Sequence, residues 1–333
     1  MRAALARCAW AAAIAAALWP RGPAPHADVA DPPAPRPAAT PAAAVSTATA
    51  ASIASPVRLA ALAPADDARR ALVIGVDGEV FEPDGAGRWL RRLPCNTARP
   101  VVAAGRAGDA VVALGDGVVF RLAANGWSAL RLAQRGKAIL GSGRRAVAAV
   151  GRQLFSLEAL TGGEPTRLAL APAPIVALSG GARTIVVTTA GAYRLDGARL
   201  VPLRGLPAGA RPVSDRFALV ERGVVDLATS RITRWPGELT VGVTAEAPDD
   251  GLVAMATGPA GLELVTLRRG AITRDPLGLA GTAVGVVVDR AARAVVALAD
   301  GRVAIRDRGG WTTTQVAEAD VPPRPGAAPA RSR

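Results

Sequence analysis

From residue 57 onward, apolar residues fall in short runs of four to six positions, broken by Gly, Asp, Asn and Pro. One stretch reads VVAAG from Val101, AVVALG from Ala110, VVFRL from Val118 and WSALRL from Trp127. Another reads AVGVVVD from Ala283, AVVALAD from Ala294, RVAIRD from Arg302 and WTTTQV from Trp311. The runs are rich in Val, bounded by turn formers and too short for helices, and no apolar spacing of 3.6 threads through them. Each stretch therefore predicts four consecutive short β-strands.

The stretches recur. Turn glycines followed by a β-branched or aromatic run stand at Gly78, Gly117, Gly151, Gly191, Gly223, Gly261 and Gly301, with a mean spacing of about 37 residues. A repeat of that length made of four antiparallel strands is one blade of a β-propeller, since such a unit buries its faces only against its neighbours. Aromatic placement gives the same register. Phe81, Phe120, Phe155 and Tyr193 follow the turn glycine in predicted third strands, and Trp89, Trp127, Trp235 and Trp311 fall in predicted fourth strands. Both sets are expected to pack between blades. Asp77-Gly78, Asp116-Gly117 and Asp300-Gly301 are expected as type I′ hairpin turns, because Asp-Gly readily takes positive φ. The predicted fold is all-β: a seven-bladed propeller of four-stranded antiparallel blades over residues 56–318, with six and eight as the neighbouring counts. Each blade is complete in chain order, so ring closure should rest on packing between the first and last blades, without a shared strand.

The repeat resembles the broad class of seven-bladed propellers that includes WD40-like and quinoprotein-like proteins, over about Val57 to Val316. The WD dipeptide and the Gly-His signature are absent. Gly87-Arg88-Trp89 and Gly309-Gly310-Trp311 are similar only to the turn of the Asp-box of sialidase-type propellers. The resemblance implies a fold and carries no activity.

Outside the repeat the composition changes. Arg2 and Arg7 precede an apolar stretch from Ala9 to Leu18, and small residues follow at Ala24 and Ala27. This reads as a signal peptide over 1–27. Cys8 does not make a lipobox, because Arg7 stands where a small residue is needed. Residues 28–55 are almost wholly Pro, Ala, Ser and Thr, a composition that favours a disordered, extended spacer with a reach on the order of 100 Å. The tail, 319–333, has the same character. The expected location is periplasmic or secreted, with the N-terminal segment as a membrane anchor if it is not cleaved.

Charge and chemistry narrow the function. Net charge is +13, carried by arginine, with Lys137 the single lysine. The arginines are scattered rather than clustered among aromatics, which argues against nucleic acid and leaves an anionic polymer or membrane surface as a weaker partner class. His26, the only histidine, lies ahead of the repeat, so the repeat lacks the base of a Ser-His-Asp or Cys-His site and the ligands of a common zinc site. Gly136-Lys137 is followed by Ala138 and is not a phosphate loop. The Asp66-Asp67 and Asp249-Asp250 pairs read as solvated loop residues. No cofactor and no metal are called for. The sequence thus points to a monomeric, non-enzymatic protein-binding module, with an exported enzyme or small-ligand sensor at the channel mouth as the alternative. The candidate binding face carries the turns between second and third strands and the links between blades: Asp77, Asn96, Arg99, Asp116 and Asp300, with Cys95 beside them.

Overall fold

The computed structural model describes residues 57–65, 67–84, 88–93, 97, 99–123, 126–141, 145–158, 165–179, 183–207 and 209–316. The signal, spacer and tail assignments (1–27, 28–55 and 319–333), with Cys95 and Asn96, lie outside them.

The described residues form seven four-stranded antiparallel sheets, each of four consecutive strands in chain order. They are blade 1 (Leu59–Leu93), blade 2 (Val101–Ala129), blade 3 (Ala138–Leu170), blade 4 (Ile175–Pro202), blade 5 (Arg211–Arg234), blade 6 (Thr240–Pro276) and blade 7 (Ala283–Gln315). The protein is a seven-bladed β-propeller. Among the described residues a single 3-10 turn, Ala68–Arg70, interrupts the all-β pattern, and Asp67 caps it by accepting from Arg69 N at 3.0 Å.

First strands are innermost, where neighbouring blades approach most closely. Small side chains are needed there: a Cβ on Gly285 in blade 7 would collide with Leu62 of blade 1. In blades 1, 2, 4, 6 and 7 the first strand also slips register against the second, for example between Val101 and Ala103. Such bulges add twist and bend the strand to the inner radius.

Between blades, six buried apolar clusters appear among the described residues, each built from two neighbouring blades. Phe81 and Trp89 pack against blade 7, Trp127 against blade 1, Phe155 against blade 2 and Tyr193 against blade 3. With Trp235 and Trp311, seven of the eight aromatics pack between blades, while Phe120 is buried but belongs to none of these clusters. Trp235 differs in detail: it lies just past its fourth strand, whose partner strand begins only at Gly223 after the Glu221-Arg222 turn, and its N–H still donates to Arg222 O at 3.0 Å.

The ring closes without a shared strand. Leu59 N donates to Ala299 O at 3.2 Å, and Val287, Val295 and Val303 of blade 7 share a cluster with Leu59, Val73 and Phe81 of blade 1. A buried ion pair reinforces the joint. The Asp289 side chain is 3% exposed and accepts from Arg293 Nε at 2.7 Å, Arg293 N at 3.0 Å and Ala68 N of blade 1 at 3.4 Å. Burial pushes this carboxyl up, but the hydrogen bonds from Arg293 and Ala68 outweigh it and hold it below the usual 3.8.

The turns correct one expectation. At Asp116-Gly117 both residues have positive φ (45° and 75°), as a type I′ turn requires. At Asp77-Gly78 and Asp300-Gly301 only the glycine does, at 93° and 90°. There the glycine N–H bonds to the carbonyl three residues back, Gly75 or Leu298, which is a type I turn ending in a left-handed glycine. The Asp therefore keeps an ordinary backbone at those two sites.

Candidate functional site

The residues chosen from sequence lie on the face formed by the turns between second and third strands and by the inter-blade links. Asp116 is met there by two cations: Arg99 Nη1 at 2.5 Å from Oδ2 and Lys137 Nζ at 3.4 Å from Oδ1. Arg99 lies on the link entering blade 2 and Lys137 on the link entering blade 3, so this trio ties two links to one turn. Asp77 contributes its backbone: its carbonyl accepts from Thr97 N at 2.9 Å and from Thr97 Oγ1 at 3.3 Å. Asp300 is clasped within its own blade by Arg302, with Nη2 at 2.5 Å and Nε at 2.9 Å from Oδ2. The bond from Arg302 holds the Asp300 carboxyl below the usual aspartate range. Arg302 also donates to Ala280 O on the link entering blade 7. The structure brings Asp116 and Arg99 together and leaves Asp77 and Asp300 in separate blades. The charged groups here fasten turns to links.

The large cavity opens on the opposite face. It measures about 1840 Å³ and is walled by first-strand residues such as Ala104, Val243, Ala245 and Val286. Its mouth is formed by turns between first and second strands, with turns between third and fourth strands beside them. These place Asp109, Arg145, Glu158, Arg183, Asp215, Arg216, Asp249, Asp250 and Arg290 around one opening. Acidic and basic residues alternate round it. Some are paired: Arg183 Nη1 is 2.8 Å from Asp215 Oδ2 across blades 4 and 5, and Arg145 Nε is 3.9 Å from Glu158 Oε1.

Arg216 is held most firmly. It donates to Asp226 Oδ2 from Nε at 3.1 Å and Nη2 at 3.0 Å, lies 5.2 Å above the Phe217 ring, and reaches Asp250 O of blade 6 at 3.4 Å. Asp249 and Asp250 form the tip of the blade 6 hairpin with φ of 68° and 55°, a conformation that Asp tolerates better than most residues. Among the described residues no cation pairs with the side chains of Asp109, Asp249 or Asp250, and no carboxylate pairs with Arg290.

The Asp249-Asp250 pair is visible in the sequence, but nothing local to it marks a channel mouth. The other mouth residues carry no motif. Their shared feature is position between the first and second strands of successive blades, a register visible only after the strands are assigned.

No protein-family model matches the sequence, and no curated protein matches it. Solved structures do. The WD40 β-propeller domain of Doa1 superposes with a TM-score of 0.54 at 13% identity, over 77% of this chain and 95% of that one. YCF48 from Cyanidioschyzon merolae gives 0.51 at 15%, over 79% and 96%. A streptogramin B lyase gives 0.52 at 10%, over 78% and 94%. The likeness is one of fold. At these identities the propeller shares an architecture with its neighbours, and function must be argued from its own residues.

Proposed function

We propose that this propeller is a non-enzymatic protein-binding module exported to the bacterial cell envelope, and that its partner seats at the cavity mouth. The observation that carries the reading is the cavity itself. At about 1840 Å³, with acidic and basic residues alternating round its rim, it is larger and more polar than the apolar clefts that enclose small ligands. Alternating charges on rigid turns instead suit a polypeptide, whose own mixed charges they can select and orient. The occurrence of WD40 domains among the similar folds is consistent with a binding role. Export rests on residues 1–27, and the spacer would hold the propeller away from the membrane.

The test uses photo-crosslinking side chains placed one at a time at Asp109, Arg290 and, on the opposite face, Asp77. Capture of one partner from the first two positions and not from Asp77 supports the mouth. Capture only from Asp77 would move the site to the other face. Sequencing of the mature N-terminus checks export: a chain that keeps Met1 and fractionates with the cytoplasm would sink that part.

A second reading is an exported enzyme or small-ligand sensor. It is favoured by the Asp249 and Asp250 carboxylates, which lack a cationic partner beside Arg216, and by the presence of a lyase among the similar folds. Loss of the partner complex on Asp249→Asn and Asp250→Asn without any small-molecule turnover would favour the binding module.

A further inference from the structure

The junction between blades 4 and 5 is built differently from the rest. Each of the other six junctions holds one of the buried apolar clusters, and this one holds none among the described residues. The ladders show why. Residues directly opposite one another on neighbouring strands share a face. In blade 4, Val186, Tyr193 and Leu200 face blade 3, so Ile185, Arg194 and Val201, which pair in sequence across three strands, face blade 5. In blade 5, Phe217, Leu219 and Val224 face blade 6, so Ala218, Val225 and Ile232 face blade 4. Blade 5 thus offers Val225 where blades 1 to 4 present an aromatic to the preceding blade, and Arg194 stands opposite.

Ile185, Ala218 and Val225 are buried at the inner part of the junction, but its outer end is open. Val201 is 38% exposed and Ile232 56%, and the cavity runs outward along Val201–Arg204 to Leu227 and Ala228. The Arg183–Asp215 pair bridges the two blades at the inner end. The cleft is also basic. Between Ile175 and Arg234 the chain has nine arginines and four acidic residues. By strand alternation Arg199 lies on the same face as Val201, and Arg234 on the same face as Ile232. Arg204 lines the cleft beside them. Arg199, Arg204 and Arg234 are exposed and have no acidic partner among the described residues.

We infer that this cleft docks an extended, acidic segment of a partner protein, whose apolar side chains cover Val201 and Ile232 while its carboxylates pair with Arg199, Arg204 and Arg234. The charge decides among occupants. A second copy would bring the same unpaired arginines, and the protein's own spacer over 28–55 has two acids, Asp28 and Asp31, which Arg36 within it and Arg58 just after it offset in full. The inference deepens the binding-module reading by naming the chemistry of a partner segment, at a place separable from the mouth.

The test selects random 12-residue peptides, displayed on phage, against the full chain, and uses the selected peptides, fluorescently labelled, as probes. The expected result is enrichment of peptides combining Asp or Glu with apolar residues. Their affinity should fall about tenfold or more in Arg204→Glu/Arg234→Glu, weaken in Ile232→Ser and decline with added salt. These positions are exposed, so the variants should keep the wild-type melting temperature. Enrichment of basic or uncharged peptides, or binding unchanged by these substitutions, would overturn the inference. Binding that follows Asp109→Arg and Arg290→Glu instead would overturn it while leaving the mouth reading intact, and no selectable binder at all would count against both. A benzophenone side chain at position 232 checks the occupant: crosslinking to an added peptide supports the inference, and crosslinking to a second copy or to residues 1–56 of the same chain contradicts it.

Discussion

Arg293 Nη2 lies 3.0 Å from Asp67 Oδ1, across 226 residues of sequence, and so joins the last blade to the first. The same guanidinium is anchored by the buried Asp289, while Asp67 caps the 3-10 turn of blade 1. Apolar packing brings blades 7 and 1 together, and this triad sets their register. Removing Arg293 leaves Asp289 buried without its main cation, a defect that typically costs about 3–5 kcal/mol. Arg293→Leu should therefore lower the urea midpoint strongly. Asp67→Ala removes a carboxylate that is 42% exposed, together with the cap on the 3-10 turn, and should cost about 1–2 kcal/mol. Equal effects in chemical denaturation would show that the joint does not depend on the buried pair.

Acid should act through the same carboxyl. Asp289 has a lower pKa in the folded chain than its usual 3.8, because the hydrogen bonds from Arg293 and Ala68 outweigh burial. A depressed folded value means that the unfolded chain binds the proton first. The contribution is fully present above pH 3.8 and is lost as pH falls through the folded value. Asp300, held down by Arg302, and the buried Glu263 of blade 6, held down by Arg274, which donates to both of its carboxylate oxygens, act in the same direction. Melting temperature measured from pH 6 downward should thus fall steeply only in the acid range. In Asp289→Asn the fall should be shallower. An identical slope in that variant would remove Asp289 from the account.

Much of the architecture can be read from residues. Turn glycines at Gly78 through Gly301 mark the blade period, and Phe81, Phe120, Phe155 and Tyr193 mark the third strands, because both are local demands of turn and inter-blade geometry. The mouth is legible only in pieces. Arg183 and Asp215 belong to different repeats, and nothing local says that two loop residues 32 apart will meet at 2.8 Å. The open junction is harder still. It arises where Val225 in blade 5 stands in place of the aromatic of blades 1 to 4, and Arg194 of blade 4 comes to face it only through strand alternation. Turn type is likewise underdetermined, since Asp-Gly occurs here in two different turns.

The contrast between junctions predicts unequal responses to core truncation. Phe155 is fully buried between blades 2 and 3, so Phe155→Ala should cost about 3–5 kcal/mol. Val225 is also buried, but it is a smaller side chain outside the six clusters, so Val225→Ala should cost less than Phe155→Ala. Hydrogen exchange should agree: amides of the fourth strand Arg199–Pro202 should exchange faster than those of the corresponding fourth strand Gly310–Gln315. Comparable protection of the two strands would mean that blades 4 and 5 close on each other in solution.

The two turn types give the sharpest local test. Asp116 has φ of 45°, whereas Asp77 does not have a positive φ. A β-branched residue in the left-handed region costs roughly 1–2 kcal/mol more than one in ordinary backbone. Asp116→Val should accordingly destabilise the propeller by more than Asp77→Val. Part of that loss comes from the pairs with Arg99 and Lys137, which Asp116→Asn isolates. Asparagine tolerates the same φ but carries no charge, so Asp116→Asn should retain most of the stability that Asp116→Val loses. If Asn and Val at position 116 destabilise equally in urea titrations, the charged trio rather than the backbone governs this turn, and Asp116 is held there for its carboxylate.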